Sequence, residues 1–86
     1  MPRIEIYTTP QCPFCVQAKR LLAKKGVEFV EYNVAVDTAR RREMEARSQR
    51  RTVPQIFIDD FHVGGCDDLY ELEGDAKLDP LLGRAG

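Results

Sequence analysis

The sequence predicts an α/β domain with a mixed four-stranded sheet flanked by helices, in the order β-α-β-α-β-β-α. Three observations support this prediction: a strand-like start that leads into a helix with one apolar face, a second strand beyond a glycine, and a late pair of short apolar strands. Strands joined through a helix should be parallel with a right-handed crossover, whereas the late pair should form an antiparallel hairpin. At 86 residues the chain has room for one domain, spanning residues 1–86.

The first third of the chain should form a strand, a helix and a second strand. Residues 3–8 alternate apolar and polar side chains, and an apolar stripe then recurs at i, i+4, i+7 and i+8 from Phe14. Pro13 suits the first turn of this helix, and Gly26 suits its C-terminal cap. Residues 27–34 are rich in Val, Phe and Tyr and should form the second strand.

The middle of the chain should form a second helix. Asp37 or Thr38 could cap it, and it should run to about Gln49. Its apolar stripe is thin and consists essentially of Ala39 and Met44, so this helix is the least strongly marked element.

The last third should form a hairpin followed by two short helices. Strands at residues 55–58 and 61–63 flank the tight turn Asp59-Asp60. The expected helices are one over residues 67–73 that ends at Gly74, and a final turn with Asp79 at its cap and Pro80 at its first position.

Charge and composition exclude several classes of function. The formal net charge is −1, which indicates neither a nucleic acid nor a membrane surface as partner. Six arginines lie between positions 40 and 51 and eight acids between positions 59 and 79, which predicts either two solvated faces or a cleft with one basic and one acidic wall. The chain opens directly into a strand, without the pattern of a signal peptide or a membrane span. We therefore expect a cytoplasmic protein, and we expect it to be a monomer.

Cys12 and Cys15 lie where the first strand ends and the first helix begins. The first turn of a helix has unpaired backbone N–H groups and a partial positive charge of about half a unit, which stabilise a thiolate relative to a thiol. We therefore expect Cys12 to be the exposed nucleophile. Cys15, one helical turn further on, should be the resolving thiol that attacks a mixed disulfide at Cys12.

The same C-x-x-C pair is compatible with half of a zinc site. The remaining candidate ligands, Cys66 and His62, are not at the spacing of a zinc finger, which favours the redox interpretation and predicts no bound metal. Cys66 should be a partly buried small residue at a tight turn, with an oxidisable second thiol as the alternative. His62 should be a strand residue and not a base.

A second motif, Thr52-Val53-Pro54, precedes the third strand. A proline before a strand cannot donate to the ladder, so taken alone it is expected to be a trans proline at an edge. A cis Val53–Pro54 bond would instead turn the Val53 N–H and C=O outward, where they could pair with an extended peptide.

Three motifs together resemble those of one family. They are Cys12-Pro13-Phe14-Cys15, Thr52-Val53-Pro54 and Gly64-Gly65-Cys66-Asp67-Asp68, and in order and spacing they are similar to the motifs of glutaredoxins over essentially the whole chain. The similarity is greatest to the small bacterial dithiol members with a C-P-Y-C centre. It implies a thioredoxin-like fold, a cis proline at position 54, and glutathione-dependent reduction of protein disulfides and glutathione mixed disulfides.

The resemblance also assigns the parts of a glutathione site. It implies that Val53, within Thr52-Val53-Pro54, holds the cysteinyl backbone of glutathione through its N–H and C=O. Asp67 and Asp68 at a helix start would hold the γ-glutamyl end, since a helix N-terminus suits a carboxylate and acid side chains suit an amine. Arg41 would face the glycyl carboxylate.

The sequence departs from the family pattern at two positions. Thr9 stands where the family often has a lysine, and Phe14 replaces the common tyrosine. Without the lysine, glutathione binding should depend more on Arg41. The ring of Phe14 can still shield the site.

Two other functions are compatible with the same motifs. One is a glutaredoxin-like electron donor that thioredoxin reductase reduces in place of glutathione, although the Asp67-Asp68 pair favours glutathione. The other is an iron–sulfur cluster carrier in which Cys12 holds the cluster between two protomers. Pro13 disfavours this carrier, because such members typically have glycine after the first cysteine.

Overall fold

The computed structural model describes residues 2–83 and confirms the predicted α/β architecture. The elements are β1 Ile4–Thr8, α1 Pro13–Lys24, β2 Val30–Asn33, α2 Thr38–Ser48, β3 Gln55–Ile58, β4 Phe61–Gly64, α3 Cys66–Gly74 and α4 Leu78–Leu81. The sheet has the order β2-β1-β3-β4, with β1 and β2 parallel and the other two pairs antiparallel. Within residues 2–83, no helix is long and apolar enough to cross a membrane.

β1 is a central strand, and all five of its residues are buried. One face of the sheet joins α1, α3 and α4 in the larger apolar cluster, which includes Ile6, Leu22 and Leu69. The other face holds a smaller cluster that includes Tyr7 and Met44 of α2. Because both faces are covered, the C-terminal end of β1 and the start of α1 are held at a rigid edge of the sheet.

The second strand is shorter than the sequence predicts. Only residues 30–33 pair with β1, in a register that joins Glu5 to Val30 and Thr8 to Asn33. Val27 and Phe29 precede the paired segment, yet both still pack on the larger apolar cluster. Their hydrophobic character therefore reflects burial from a loop and not strand pairing.

Two helices also differ from the sequence prediction. In α2, Met44 is buried as expected, but Ala39 is exposed, and the second buried position is Ser48, whose hydroxyl bonds the Met44 carbonyl at 2.6 Å. The last helix begins at Leu78, so neither Asp79 nor its neighbour proline occupies the predicted position. Leu78 is fully buried and the Asp79 carboxylate pairs with Lys25 at 2.9 Å, which removes Asp79 from the capping role.

Candidate active site

The two cysteines of the C-x-x-C segment lie at the N-terminus of α1, as the sequence predicts. Cys12 has extended backbone angles and forms the N-cap, and Pro13 is the first helical residue. The Cys12 sulfur accepts a hydrogen bond from the Cys15 backbone N–H at 3.2 Å. A side-chain acceptor satisfies one of the unpaired donors of a helix start, and here that acceptor is sulfur.

The two thiols differ in environment. Cys12 is partly exposed, whereas Cys15 is 1% exposed beneath it. Burial, and next the hydrogen bond with Cys12, raise the pKa of the Cys15 thiol to about 12. Cys15 is therefore a protonated thiol at neutral pH, and a reagent from solvent meets Cys12 first.

The Thr52-Val53-Pro54 segment faces the thiol from across the cleft. The Val53–Pro54 peptide bond is cis, as the family resemblance implies, and not trans as the proline alone suggests. The carbonyl oxygen of Val53 lies 3.8 Å from the Cys12 sulfur, which donates its S–H there. The Cys12 thiol and the main chain of this loop are thus in direct contact.

A cleft of about 210 Å³ opens beside these groups. Its lining consists of Phe14, Arg50, Thr52, Val53, Pro54, Gln55, Gly65, Cys66, Asp67 and Asp68. The structure therefore brings together five of the six predicted glutathione-binding residues. The sixth, Arg41, is not among the described residues that line the cleft, and its guanidinium lies 3.4 Å from Glu45, one turn along α2.

Arg50 is a cleft residue that the sequence analysis did not single out. It lies in the run of six arginines, two residues before the Thr52-Val53-Pro54 motif, and its guanidinium reaches Asp68 on the opposite wall at 3.2 Å. Arg40 and Arg47 of the same run pack over the rings of Tyr32 and Phe57, at 4.0 and 3.9 Å. Of the six arginines, Arg50 alone lines the cleft. Among residues 2–83, the cleft therefore has one acidic and one basic wall, and the basic wall consists of the Arg50 side chain.

The acidic wall is the start of α3. The Asp68 carboxylate accepts the Gly65 backbone N–H at 2.9 Å and closes the cap of the helix. This hydrogen bond, and next the one from Arg50, lower the pKa of Asp68. Gly64 has φ +114, and a Cβ there would lie 2.2 Å from an Asp68 carboxylate oxygen, so glycine is needed for the cap to form.

A larger groove, of about 330 Å³, lies near the N-terminal end of β1. It is lined mostly by apolar groups, among them Ile4, Phe29 and Leu82, and it contains no thiol. Among residues 2–83, no group of three or more His, Cys, Asp or Glu side chains could hold a metal ion. The smaller cleft, in contrast, is lined by Val53, whose carbonyl contacts the Cys12 sulfur.

A C-x-x-C pair at a helix start, opposite a cis-proline loop on this mixed sheet, defines a thiol–disulfide oxidoreductase of the thioredoxin-like fold. Comparison with known proteins identifies the family within this class of oxidoreductase. The family model described as glutaredoxin matches residues 4–63, and the chain belongs to the glutaredoxin family.

Relatives and solved structures agree with this assignment. The chain is 56% identical to glutaredoxin 3 of Escherichia coli K12, over 95% of this chain and 99% of that protein. The solution structure of a glutaredoxin from Brucella melitensis matches with 53% identity and a TM-score of 0.83, over 100% of this chain and 96% of that one. A buckwheat glutaredoxin–glutathione complex matches with 27% identity and a TM-score of 0.87, over 95% and 77%. The protein is a dithiol, glutathione-dependent thiol–disulfide oxidoreductase.

Proposed function

We propose that Cys12 is the nucleophile and Cys15 the resolving thiol in the reduction of protein disulfides and glutathione mixed disulfides. Cys12 first releases to solvent the S–H proton that it donates to the Val53 carbonyl. The resulting thiolate attacks one sulfur of the substrate disulfide, forms a mixed disulfide and releases the other sulfur as a thiolate, which takes up a proton. A protein substrate left on Cys12 is then displaced as a thiolate when Cys15 loses its proton and attacks the Cys12 sulfur, which forms a Cys12–Cys15 disulfide. Two glutathione molecules reduce that disulfide to the dithiol and leave as glutathione disulfide. A glutathione left on Cys12 is displaced by a second glutathione, so that step does not need Cys15.

The difference between the two thiols supports these roles. Cys12 is accessible and accepts the Cys15 N–H, whereas the raised pKa of the buried Cys15 thiol keeps it from competing for the substrate. Cys15 is in position to react only after a mixed disulfide has formed directly above it. No general base is needed for the first step once the Cys12 thiolate is present.

The glutathione site proposed for this cleft follows the family pattern. Val53 offers its N–H and C=O to the cysteinyl backbone, within the segment from Thr52 to Pro54. Asp67 and Asp68, at the start of α3, would receive the γ-glutamyl amine and carboxylate. The glycyl carboxylate requires a cation, for which the family position predicts Arg41 and the cleft offers Arg50.

The contact that supports the proposal is the 3.8 Å approach of the Cys12 sulfur to the Val53 carbonyl, because a disulfide substrate bound to the Val53 main chain would lie beside that sulfur. The test is reduction of a glutathione mixed disulfide coupled to glutathione reductase, for wild type, Cys12→Ser, Cys15→Ser and, as a matched control, Cys66→Ser. We expect Cys12→Ser to abolish activity and the other two variants to retain it. Reduction of a protein disulfide should require both Cys12 and Cys15.

Two further experiments distinguish the proposed function from the alternative functions. Activity supported by thioredoxin reductase but not by glutathione would show that the protein is an electron donor reduced by thioredoxin reductase. Visible absorbance and iron in anaerobically purified protein, lost in Cys12→Ser, would identify a cluster carrier, and bound zinc would identify a metal module.

We also propose that the chain acts as a single-domain cytoplasmic monomer, with disulfide-containing or glutathionylated proteins as its partners. Both apolar clusters include residues of the same four-stranded sheet, one cluster on each face, which supports a single folding unit. Sedimentation of the reduced protein tests the monomer, and a dimer at micromolar concentration would contradict it.

A further inference from the structure

We propose that Gln55 and His62 are positioning residues that fix the Val53 main chain for glutathione, through a hydrogen-bond chain from His62 to Gln55 to Thr52. The proposal rests on the glutathione site described above and assigns a task to two side chains that the reaction itself does not use.

Gln55 is the first residue of β3, and its side chain is fully buried at the base of the cleft. Its Nε2 donates to the Thr52 carbonyl at 3.0 Å and lies 3.2 Å from the Thr52 hydroxyl oxygen. Its Oε1 lies 2.7 Å from His62 Nε2. Both ends of the amide are therefore engaged, which is the condition for a buried polar side chain to be held in one orientation.

The donor and acceptor roles in this chain follow from the Thr52 contacts. A carbonyl oxygen can only accept, so the amide nitrogen of Gln55 must point to Thr52 and its oxygen must point to His62. His62 Nε2 must then carry a proton and donate it. The His62 ring is fixed in turn by stacking on Phe57, with ring centroids 4.8 Å apart and an interplanar angle of 24°.

The bond to the Thr52 carbonyl sets the direction of the Val53 N–H. These two groups belong to one planar trans peptide unit and point in opposite directions from it. By holding the carbonyl on the β3 side, Gln55 keeps the Val53 N–H turned away from β3. Thr52 itself is exposed, so among the described contacts Gln55 is the side chain that anchors this carbonyl.

The orientation of the Val53 main chain should matter only for substrates that carry peptide groups. The cysteinyl backbone of glutathione would need the Val53 N–H and C=O, whereas a small disulfide without amide groups cannot use them. Gln55 and His62 should therefore affect the first class of substrate and leave the reactivity of Cys12 unchanged. A residue that merely supported the fold would affect both classes equally.

The decisive variant is Gln55→Met, which keeps the length of the buried side chain and removes both hydrogen-bonding functions. The first measurement is kcat/KM for a glutathionylated peptide with glutathione as reductant. The second is the single-turnover exchange of reduced protein with bis(2-hydroxyethyl) disulfide in the absence of glutathione. We expect kcat/KM to fall about tenfold, through KM more than kcat, with the exchange rate within about twofold of wild type.

His62→Phe provides a second test should Gln55→Met fold poorly, because it keeps the ring on Phe57 and removes only the donor. We expect about a threefold loss of kcat/KM on the glutathionylated peptide and none in the exchange reaction. Gln49→Met is the matched control, since Gln49 bonds the Ala46 carbonyl of α2 outside the cleft, and its kinetics should equal those of wild type. Nitrogen-15 spectra should show the neutral His62 ring protonated at Nε2.

The outcomes separate this proposal from the one on which it rests. Wild type without glutathione-dependent activity would refute the glutathione site. An active wild type with both variants unchanged on the glutathionylated peptide, or with equal losses on both substrates, would overturn the positioning role. A His62 proton located on Nδ1 would overturn the role of His62.

Discussion

The sulfur of Cys12 lies 3.2 Å from the backbone nitrogen of Cys15 and accepts its hydrogen bond, so the sulfur that we propose as the nucleophile also caps the helix that carries Cys15. The same sulfur lies 3.8 Å from the Val53 carbonyl. One sulfur atom therefore contacts both the first turn of α1 and the loop that contains the cis proline. Its accessibility, compared with the burial of Cys15, makes the two thiols chemically unequal.

Selective alkylation should reveal this inequality. In the reduced native protein at pH 7, iodoacetamide should modify Cys12 and leave Cys15 and Cys66 largely unmodified, because both are buried and burial raises the pKa of each thiol. Peptide mapping by mass spectrometry gives the site of modification. Protein unfolded in urea is the control, and all three cysteines should react there. Comparable labelling of Cys12 and Cys15 in the native state would contradict the assignment of roles.

Stability should fall at alkaline pH, for a reason that can be assigned to particular groups. The pKa of Cys15 is raised from 9.0 to about 12, and that of Tyr7 from 10.0 to about 12, in both cases chiefly by burial. Above pH 9 the unfolded chain loses these protons while the native protein keeps them, so the free energy of unfolding decreases as the pH rises. Each group contributes a slope of at most about 1.4 kcal/mol per pH unit.

Urea unfolding of the reduced protein between pH 7 and pH 10.5 measures this effect. Cys15→Ser removes one titrating group, so its stability should decline less steeply above pH 9 than that of wild type. The same slope in both proteins would show that the Cys15 thiol ionises equally in the folded and unfolded states.

Gly64→Ala should damage both stability and glutathione binding. Its Cβ would lie 2.2 Å from an Asp68 carboxylate oxygen at a backbone φ of +114, so the side chain that caps α3 must move away. We expect a loss of about 1–3 kcal/mol in the free energy of unfolding and a raised KM for glutathione. Gly74→Ala is the control, because a Cβ there meets nothing within 4 Å, and it should unfold at the same or higher urea concentration. Equal stability of the two variants would show that Asp68 can still cap α3 when position 64 carries a Cβ.

The element order could be predicted because its signals are local. Pro13 and Gly26 mark the ends of α1, and the C-x-x-C segment can be placed at a helix start from its neighbours alone. The hairpin turn at residues 59–60 is equally local, and Asp59 adopts a left-handed conformation there. Each of these features depends on a few adjacent residues, so a single sequence suffices.

The rest depends on contacts between distant residues. The start of α4 is set by burial of Leu78 and by the pairing of Asp79 with Lys25, neither of which adjacent residues reveal. Gln55 and His62 look like ordinary strand residues until the hairpin brings them together. The arginine that enters the cleft, Arg50, lies beyond the C-cap of α2 at Gln49, and its contact with Asp68 joins residues 18 positions apart, which adjacent residues do not reveal.

The choice between Arg50 and Arg41 can be tested directly. Arg50 lines the cleft and reaches Asp68 at 3.2 Å, whereas Arg41 pairs with Glu45 on α2. Both side chains are partly exposed, so each contact with a glycyl carboxylate is worth about 1 kcal/mol or less. We expect Arg50→Ala to raise the KM for glutathione about fivefold at low salt, with a smaller effect at high salt because ions screen exposed charges.

Arg41→Ala is the matched variant and should leave the KM for glutathione within about twofold of wild type. Removing Arg50 also frees Asp68 of an ion pair, so a loss of stability must be separated from a loss of binding. Arg50→Gln together with Arg50→Lys provides that separation: lysine should restore the KM in part because its charge still reaches the cleft, whereas glutamine should not. A larger KM effect from Arg41→Ala than from Arg50→Ala would assign the glycyl carboxylate to α2, as the family position implies, and would require the Arg41–Glu45 pair to open when glutathione binds.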